Sequence, residues 1–383
     1  MMRDVVVVGA GPAGIHASYR LAEAGLNVAL LEGQAGIGER AICSGVIGEE
    51  GFKEFDLPSE TVQTNIHCIQ AISPQGRVLE HGAERPLARV IDKREFNRAL
   101  SKRALAAGVD IRLGQWVDSL EVEKHAVSVR FRSPQAGGGS LKARIAVITT
   151  GVNSALNQAL GLVRPRQFLR AVQVELTLPN PIASPATRVY VGRSIAPGAF
   201  GWEIPLGCGR VRVGLMTPQD PEPFLVNLLR RVAPSVEVAS LQVMRKGIAQ
   251  APVGRCVMER VIAAGEAAGH VKTTTGGGIY YGLLSAELAA EVIARAFRHG
   301  DFSSHQLADF ERYWRSALGH ELLVGYFARR LAAQFSDAQI ERLFQAVQAS
   351  NLLFRLNGRL KFDWHQEALL TTVRSLLSLP GLN

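Results

Sequence analysis

The sequence is poor in the features that would mark several protein classes. It has four cysteines, at 43, 68, 208 and 256, spread along 383 residues with no CxxC pair. That spacing excludes a disulfide framework and a zinc site, and it points to the reducing cytoplasm. The longest uncharged stretch, 145–163, is broken by Thr149, Thr150, Asn153, Ser154, Asn157 and Gln158, so no membrane-spanning helix is expected. The opening MMRDVVVVGAGPAG lacks the basic, apolar, small-residue order of a signal peptide. The net charge is +9, but no five basic residues stand together, so nucleic acid is not expected as a partner. Charged residues make up 20% and hydrophobic ones 47%, which excludes a disordered chain. No internal repeat or low-complexity tract is visible, and the length suits two or three domains.

What is present begins with a βαβ unit. Val5–Val8 reads as a buried strand, Ala13–Ala24 as a helix stopped by Gly25, and Leu26–Leu31 as a second strand. Short strands are expected over 66–91, and a helix capped by Asp92 over 93–107. Strands follow at 109–113, 116–122 and 127–132, with Pro134–Ser140 as a Gly-rich hairpin loop and 141–149 as a further strand. Residues 170–249 read mostly as strand, with one helix near 222–232. A short buried strand at 261–264 leads to Gly265, a long helix runs from Gly278 to about Arg298, and 303–383 is helical in pattern.

Gly9-Ala10-Gly11-Pro12-Ala13-Gly14 fits GxGxxG in strand–turn–helix context. Gly9 permits the turn, Gly11 lets the backbone approach a pyrophosphate, and Gly14 lets helix and strand pack closely. The helix start offers unpaired N–H groups to phosphate. Glu32, ending the second strand, suits a ribose diol and disfavours a 2′-phosphate. FAD is preferred over NAD because of a second segment. Gly265-Glu266-Ala267-Ala268-Gly269 suits the hydroxyls of a ribityl chain. Gly276-Gly277-Gly278 with Ile279, at a helix start, suits the edge of a flavin ring. Arg94, and Arg40 less so, are expected near the pyrophosphate. No metal site is expected.

Four places resemble the geranylgeranyl reductase family of flavoproteins, within the p-hydroxybenzoate-hydroxylase-like FAD fold. They are Gly9–Gly14 with Glu32; Cys43-Ser44-Gly45; Phe200-Gly201-Trp202-Glu203-Ile204-Pro205; and GEAAGHVKTTTGGGIYYG from Gly265 to Gly282. The chain departs from the family pattern at Glu266 and Asn97, where Asp is usual, and at Thr273, where Pro is common. It departs again at Thr150-Gly151, where related flavoproteins carry Asp-Gly. The resemblance implies an α/β fold: a Rossmann-like FAD-binding domain (1–65, 92–160, 250–300), an inserted antiparallel-sheet substrate domain (66–91, 161–249) and a C-terminal helical region (301–383). It implies non-covalent FAD, NADPH or ferredoxin as electron donor, and reduction of isolated C=C bonds in a polyprenyl lipid. The location expected is cytoplasmic, with peripheral membrane contact through the aromatic C-terminal region.

Alkene reduction needs a hydride on one carbon, a proton on the other, and a water-poor cavity. The expected catalytic residues are Cys43, which the resemblance places beside the isoalloxazine; Phe200 and Trp202, which share a strand face and line the groove; and Tyr280 after the glycine triplet. Each has a structural alternative: a buried thiol, core aromatics, helix packing. His270 reads as structural, hydrogen-bonded within the loop. Rival functions are an aromatic hydroxylase, which Thr150-Gly151 counts against, a flavin-dependent halogenase, which FGWEIP suggests, and a binding module without turnover.

Overall fold

A computed structural model describes residues 2–39, 42–134, 137–153, 155–162, 165, 167–178, 186–237, 240–250, 254–350 and 361–377, the last six by backbone alone. Arg40 and residues 351–360 and 378–383 lie outside the described residues. The chain divides into two compact units. The first comprises Met1–Ala41, Asp92–Gln167 and Ala249–Leu322; the second comprises Ile42–Ile91, Phe168–Ile248 and Leu323–Asn383.

The first unit is built on a sheet whose parallel strands run, in spatial order, Val261–Ala263, Gly137–Ile148, Arg3–Val8, Val28–Leu31 and Asp110–Arg112. Val5, Val6 and Val7 have no exposed surface, as expected of a strand covered on both faces. Helices Pro12–Glu23, Lys93–Ala106 and Ile279–His299 belong to this unit. Asp92 caps the second of them, its carboxylate accepting from Arg94 N and Glu95 N. The Gly-rich run differs from the sequence expectation. Gly137–Ser140 is strand, not loop, paired with Val127–Ser133 so that Gly139 faces Phe131. A Cβ on Gly139 would lie 2.7 Å from that ring, so an aromatic side chain covers the missing side chain and holds the register.

The second unit holds a seven-stranded sheet in the order 244–249, 168–177, 210–217, 201–207, 187–190, 68–72, 78–82. Strand 168–177 pairs antiparallel with 210–217, 210–217 with 201–207, 201–207 with 187–190 and 68–72 with 78–82, whereas Thr187–Tyr190 runs parallel to Cys68–Ile72. A three-stranded sheet (Val46–Gly48, Ala88–Ile91, Val62–Ile66) packs on one face of it, and helix Glu222–Val232 packs on the other. Residues 42–65 therefore lie in the second unit, because Val46 pairs with Val90 and Val62 with Ile91. The C-terminal region is divided: 301–322 belongs to the first unit and 323–383 to the second. Gly48 N donates to Asp363 Oδ2 at 2.9 Å, one of the bonds that fix the chain near its end.

His270 sits in the core of the first unit. It is fully buried, with its ring 4.8 Å from that of Trp314 and 6.0 Å from that of Phe310. Neither ring nitrogen has a hydrogen-bond partner among the described residues, so the expectation of a hydrogen-bonded loop histidine is corrected. Burial alone pushes its pKa down from 6.5 to about 3. Above pH 6.5 the ring is neutral in both folded and unfolded chains. Below it, the unfolded chain takes a proton that the folded chain refuses, so stability falls as pH falls. Between pH 6.5 and about 5 the wild type should lose about 2 kcal/mol relative to His270→Phe. Urea titrations across that range check this; parallel profiles would disprove it.

Candidate functional site

The first-unit site starts where Arg3–Val8 gives way to the first helix. Gly9 has φ +103°, and a Cβ there would lie 2.7 Å from Thr149 O. Gly14 meets the same turn from the helix side, where a Cβ would lie 1.9 Å from Gly9 O. Thr149 locks the junction, its hydroxyl donating to Val8 O at 2.8 Å and to Gly9 O at 2.9 Å. Gly11 is the opposite case: a Cβ on it would meet nothing within 4 Å. The helix it precedes has no side-chain cap and no acidic residue in its first turn, with Pro12 and Ala13 opening it. An open concavity lined by uncapped N–H groups fits a pyrophosphate.

Glu32 stands beside this concavity. Ala10 N donates to its Oε2 at 2.8 Å and Gln34 N to its Oε1 at 2.9 Å. Both oxygens are thus fixed, and each retains a lone pair for a ribose hydroxyl. Arg94 is exposed in the first turn of its helix, where its Cα lies 3.1 Å from the Cβ position of Gly38.

The structure brings the second motif to the first. A Cβ on Gly265 (φ +66°) would lie 2.9 Å from the Cβ of Ala13, and one on Gly282 would lie 3.5 Å from it. Gly265 N donates to Ser285 Oγ at 2.8 Å, and buried Asn157 donates to Ala267 O at 2.8 Å. Within Gly265–His270 only Glu266 is less than fully buried, and its Oε2 lies 3.4 Å from the Cβ position of Gly151. Gly276, Gly277 and Gly278 are half-buried. Gly276 N donates to Lys272 O and Lys272 N to Gly277 O, closing the loop. Gly278 precedes the helix Ile279–His299, which has no side-chain cap and no acid in its first turn. These N–H groups suit developing negative charge. Ile279 and Tyr280 are buried behind the triplet, the Tyr280 ring lying edge-on to Tyr281 at 6.1 Å. The donor set and the open face at Gly11 fit FAD.

Cys43, Phe200 and Trp202 lie in the second unit. Strand register puts Gln173, Gly214 and Trp202 in one row, and Glu175, Arg212 and Ile204 in the next, on the same face of the sheet. The segment Cys43-Ser44-Gly45 is fastened across both rows. Gln173 Nε2 donates to Cys43 O at 3.1 Å, and buried Arg212 donates to Ser44 O. Arg212 is held by Glu175, its Nη2 and Nε lying 2.7 and 3.0 Å from Oε1. Ile91 N donates to Gly45 O at 2.8 Å, and Gly45 N points at Cys43 Sγ at 3.3 Å.

Phe200 and Trp202 do share a face, their rings 6.1 Å apart and edge-to-face. That face is packed with Leu169, Ile204, Met216 and Val90. Trp202 is 8% exposed, and its Nε1 has no hydrogen-bond partner among the described residues. Glu203, on the opposite face, accepts from Arg188 at 2.8 Å and from Tyr190 OH at 2.6 Å. Burial and that carboxylate push the Tyr190 phenol up. Thr149, Gln173, Glu175 and Arg212 escaped the sequence reading. A Thr after a strand and an Arg/Glu pair on neighbouring strands carry no motif.

The comparisons agree with this geometry. A family model described as FAD dependent oxidoreductase matches residues 4–157. A digeranylgeranylglycerophospholipid reductase of Methanopyrus kandleri is 28% identical over 372 residues, covering 93% of each chain. The crystal structure of a geranylgeranyl bacteriochlorophyll reductase-like protein from Thermoplasma acidophilum superposes with a TM-score of 0.86 at 21% identity, covering 97% of this chain and 96% of that one. A p-nitrophenol 4-monooxygenase from Pseudomonas putida superposes with a TM-score of 0.70 at 18% identity, covering 98% and 97%.

Two substitutions separate the roles of the glycines. Gly14→Ala should cost about 3 kcal/mol or more, because its methyl collides with backbone. Gly11→Ala should leave the melting temperature of the apoprotein unchanged yet weaken flavin binding at least about tenfold. Thermal melts of the apo forms and flavin titration distinguish the two; equal flavin affinity for Gly11→Ala and wild type would refute the cradle. In the second unit, Arg212→Gln should cost about 2–3 kcal/mol. It should also speed alkylation of Cys43, followed site by site by mass spectrometry. An unchanged rate would show that this clamp does not hold the segment.

Proposed function

We propose that the chain is an FAD-dependent oxidoreductase of the geranylgeranyl reductase type that saturates isolated C=C bonds of a polyprenyl, geranylgeranyl-type lipid. The observation that carries the substrate class is the match to a digeranylgeranylglycerophospholipid reductase over 93% of both chains.

Gly11, Glu32, Glu266 and Gly276–Gly278 would hold FAD, with Arg94 at the pyrophosphate end, and the cofactor in its reduced form would supply the hydride for one alkene carbon. Cys43 gives the proton to the other carbon, and Gly45 N, 3.3 Å from Sγ, stabilises the thiolate left behind. Phe200 and Trp202 present the apolar face that keeps water from the chain, and Tyr280 supports the glycine triplet from behind. NADPH or a ferredoxin would be the source of the electrons. The substrate's solubility calls for peripheral contact with a membrane.

The test is anaerobic. The purified yellow protein is reduced with dithionite and mixed with a geranylgeranyl lipid. Flavin reoxidation with a gain of two hydrogens per bond on the lipid is expected. A product formed only with oxygen, and bearing a hydroxyl, would overturn the reading in favour of a hydroxylase. Cys43→Ser should lower the rate of reoxidation by lipid about 100-fold while leaving the flavin bound. An unimpaired variant would remove Cys43 from the proposal.

A further inference from the structure

We propose that the exposed face of helix His320–Ala332 is a docking surface for an anionic lipid membrane, with Leu323, Phe327 and Leu331 entering the headgroup–acyl boundary and Arg330 meeting the phosphates. This rests on the reading that the substrate is a membrane lipid, and it assigns the contact to particular side chains.

Leu323, Phe327 and Leu331 are 46%, 59% and 56% exposed, and the last two are the most exposed large apolar side chains among the described residues. Their spacing of four places them in one column along the helix. The other exposed large apolar residues do not recur at helical spacing along one helix. The helix is not a frayed end. Gly325 on its other side is buried, and its C-terminus is tied down by Arg193, which donates through Nε to Phe335 O and through Nη2 to Gln334 O. Gly198 packs beside Ala333 in the same corner.

Charge selects the occupant. From Leu322 to Ser336 the sequence carries two arginines and no acid. The next two acids are already engaged: Asp337 accepts from Arg193 N, and Glu341 is buried and paired with Arg77. Arg330 is exposed beside the column, its guanidinium 5.6 Å over the Tyr326 ring and its Nη1 3.1 Å from the Tyr326 hydroxyl. An aromatic ring carrying a cation beside large apolar side chains is the composition of a helix lying in a membrane interface. A second copy of the chain fits worse. A two-fold contact would bring together two copies of a face that carries arginine and no acid from Leu322 to Ser336, on a protein of net charge +9.

The test uses the full holoprotein and substrate-free vesicles of phosphatidylcholine, alone or with phosphatidylglycerol. Sedimentation with the anionic vesicles is expected, weakening as salt rises from about 0.1 to about 0.5 M. Phe327→Asp should lower partitioning at least about tenfold and Arg330→Glu several-fold, with unchanged melting temperatures. Equal binding by wild type and both variants would overturn the proposal. So would a wild-type dimer in solution that Phe327→Asp converts to a monomer, which would make the face a self-association surface. Reduction of a detergent-dispersed polyprenyl alkene is measured in parallel and should be the same for Phe327→Asp. If wild type binds vesicles but reduces nothing, the reductase reading fails and the docking surface stands.

Discussion

The carbonyl oxygen of Gly9 lies 1.9 Å from where a Cβ on Gly14 would be. No other residue type is compatible with that approach, and the geometry of the nucleotide cradle follows from it. With the first helix drawn down onto the first strand, its uncapped N–H groups open at the end of the sheet, over the gap left at Gly11. The neighbouring strand ends at the same level, so Glu32 receives Ala10 N on one oxygen and Gln34 N on the other, and each oxygen keeps a further lone pair. Ala13, on the first turn of the same helix, is then in reach of Gly265. Two motifs some 250 residues apart in sequence become one cradle. A helix dipole alone is worth about 0.3–1 kcal/mol to an anion. Convergent, fixed donors are what make the cradle selective.

The second unit solves a different problem with costlier means. Arg212 is buried and meets the partly exposed Glu175. A buried ion pair is seldom a net source of stability, because desolvation offsets the attraction. Its worth here is positional. The guanidinium is planar and pre-organised, so a strand that cannot move holds Ser44 O at a fixed point. Gln173 does the same for Cys43 O one row along. Gly214, between Gln173 and Trp202, leaves no room for a side chain: a Cβ there would lie 2.7 Å from either. The sulfur-bearing segment and the Trp202 face are thereby built on one rigid surface.

Much of this was legible in the sequence because it is local. Strand–turn–helix glycines, a capping Asp92 and a helix at 222–232 depend on residues within a few positions of one another. The cradle was half legible: Gly9, Gly11, Gly14, Glu32 and the triplet announce themselves, whereas Thr149 does not, since its role is defined only by which strand lies beside the first. The allotment of 42–65 failed to show for the same reason. It is settled by the pairing of Val46 and Val62 with a strand near residue 90, a non-local choice that periodicity cannot make. Gly137–Ser140 misled because composition argued for a loop while Phe131, across the pair, supplied the missing packing. His270 misled because its motif suggested hydrogen bonds and the described residues around it provide none.

The fold does not choose the reaction, since a monooxygenase of p-nitrophenol superposes over nearly the whole chain. The residues must choose. A phenol hydroxylase has to stabilise charge on oxygen, which calls for polar partners around a small ring. Reduction of an isolated alkene leaves charge on carbon, which no hydrogen-bond donor stabilises well, so protonation has to keep pace with hydride addition. What is needed is a proton on a precisely held donor in surroundings without water. The FGWEIP strand divides accordingly. Its ionic member, Glu203, turns away to satisfy Arg188 and Tyr190, so that Trp202 and Ile204 face the side on which Cys43 is clamped. In the proposed reaction a thiol is a sparing choice of donor. It is small and weakly hydrated, and Gly45 N–H faces the sulfur that would carry the charge once the proton had gone.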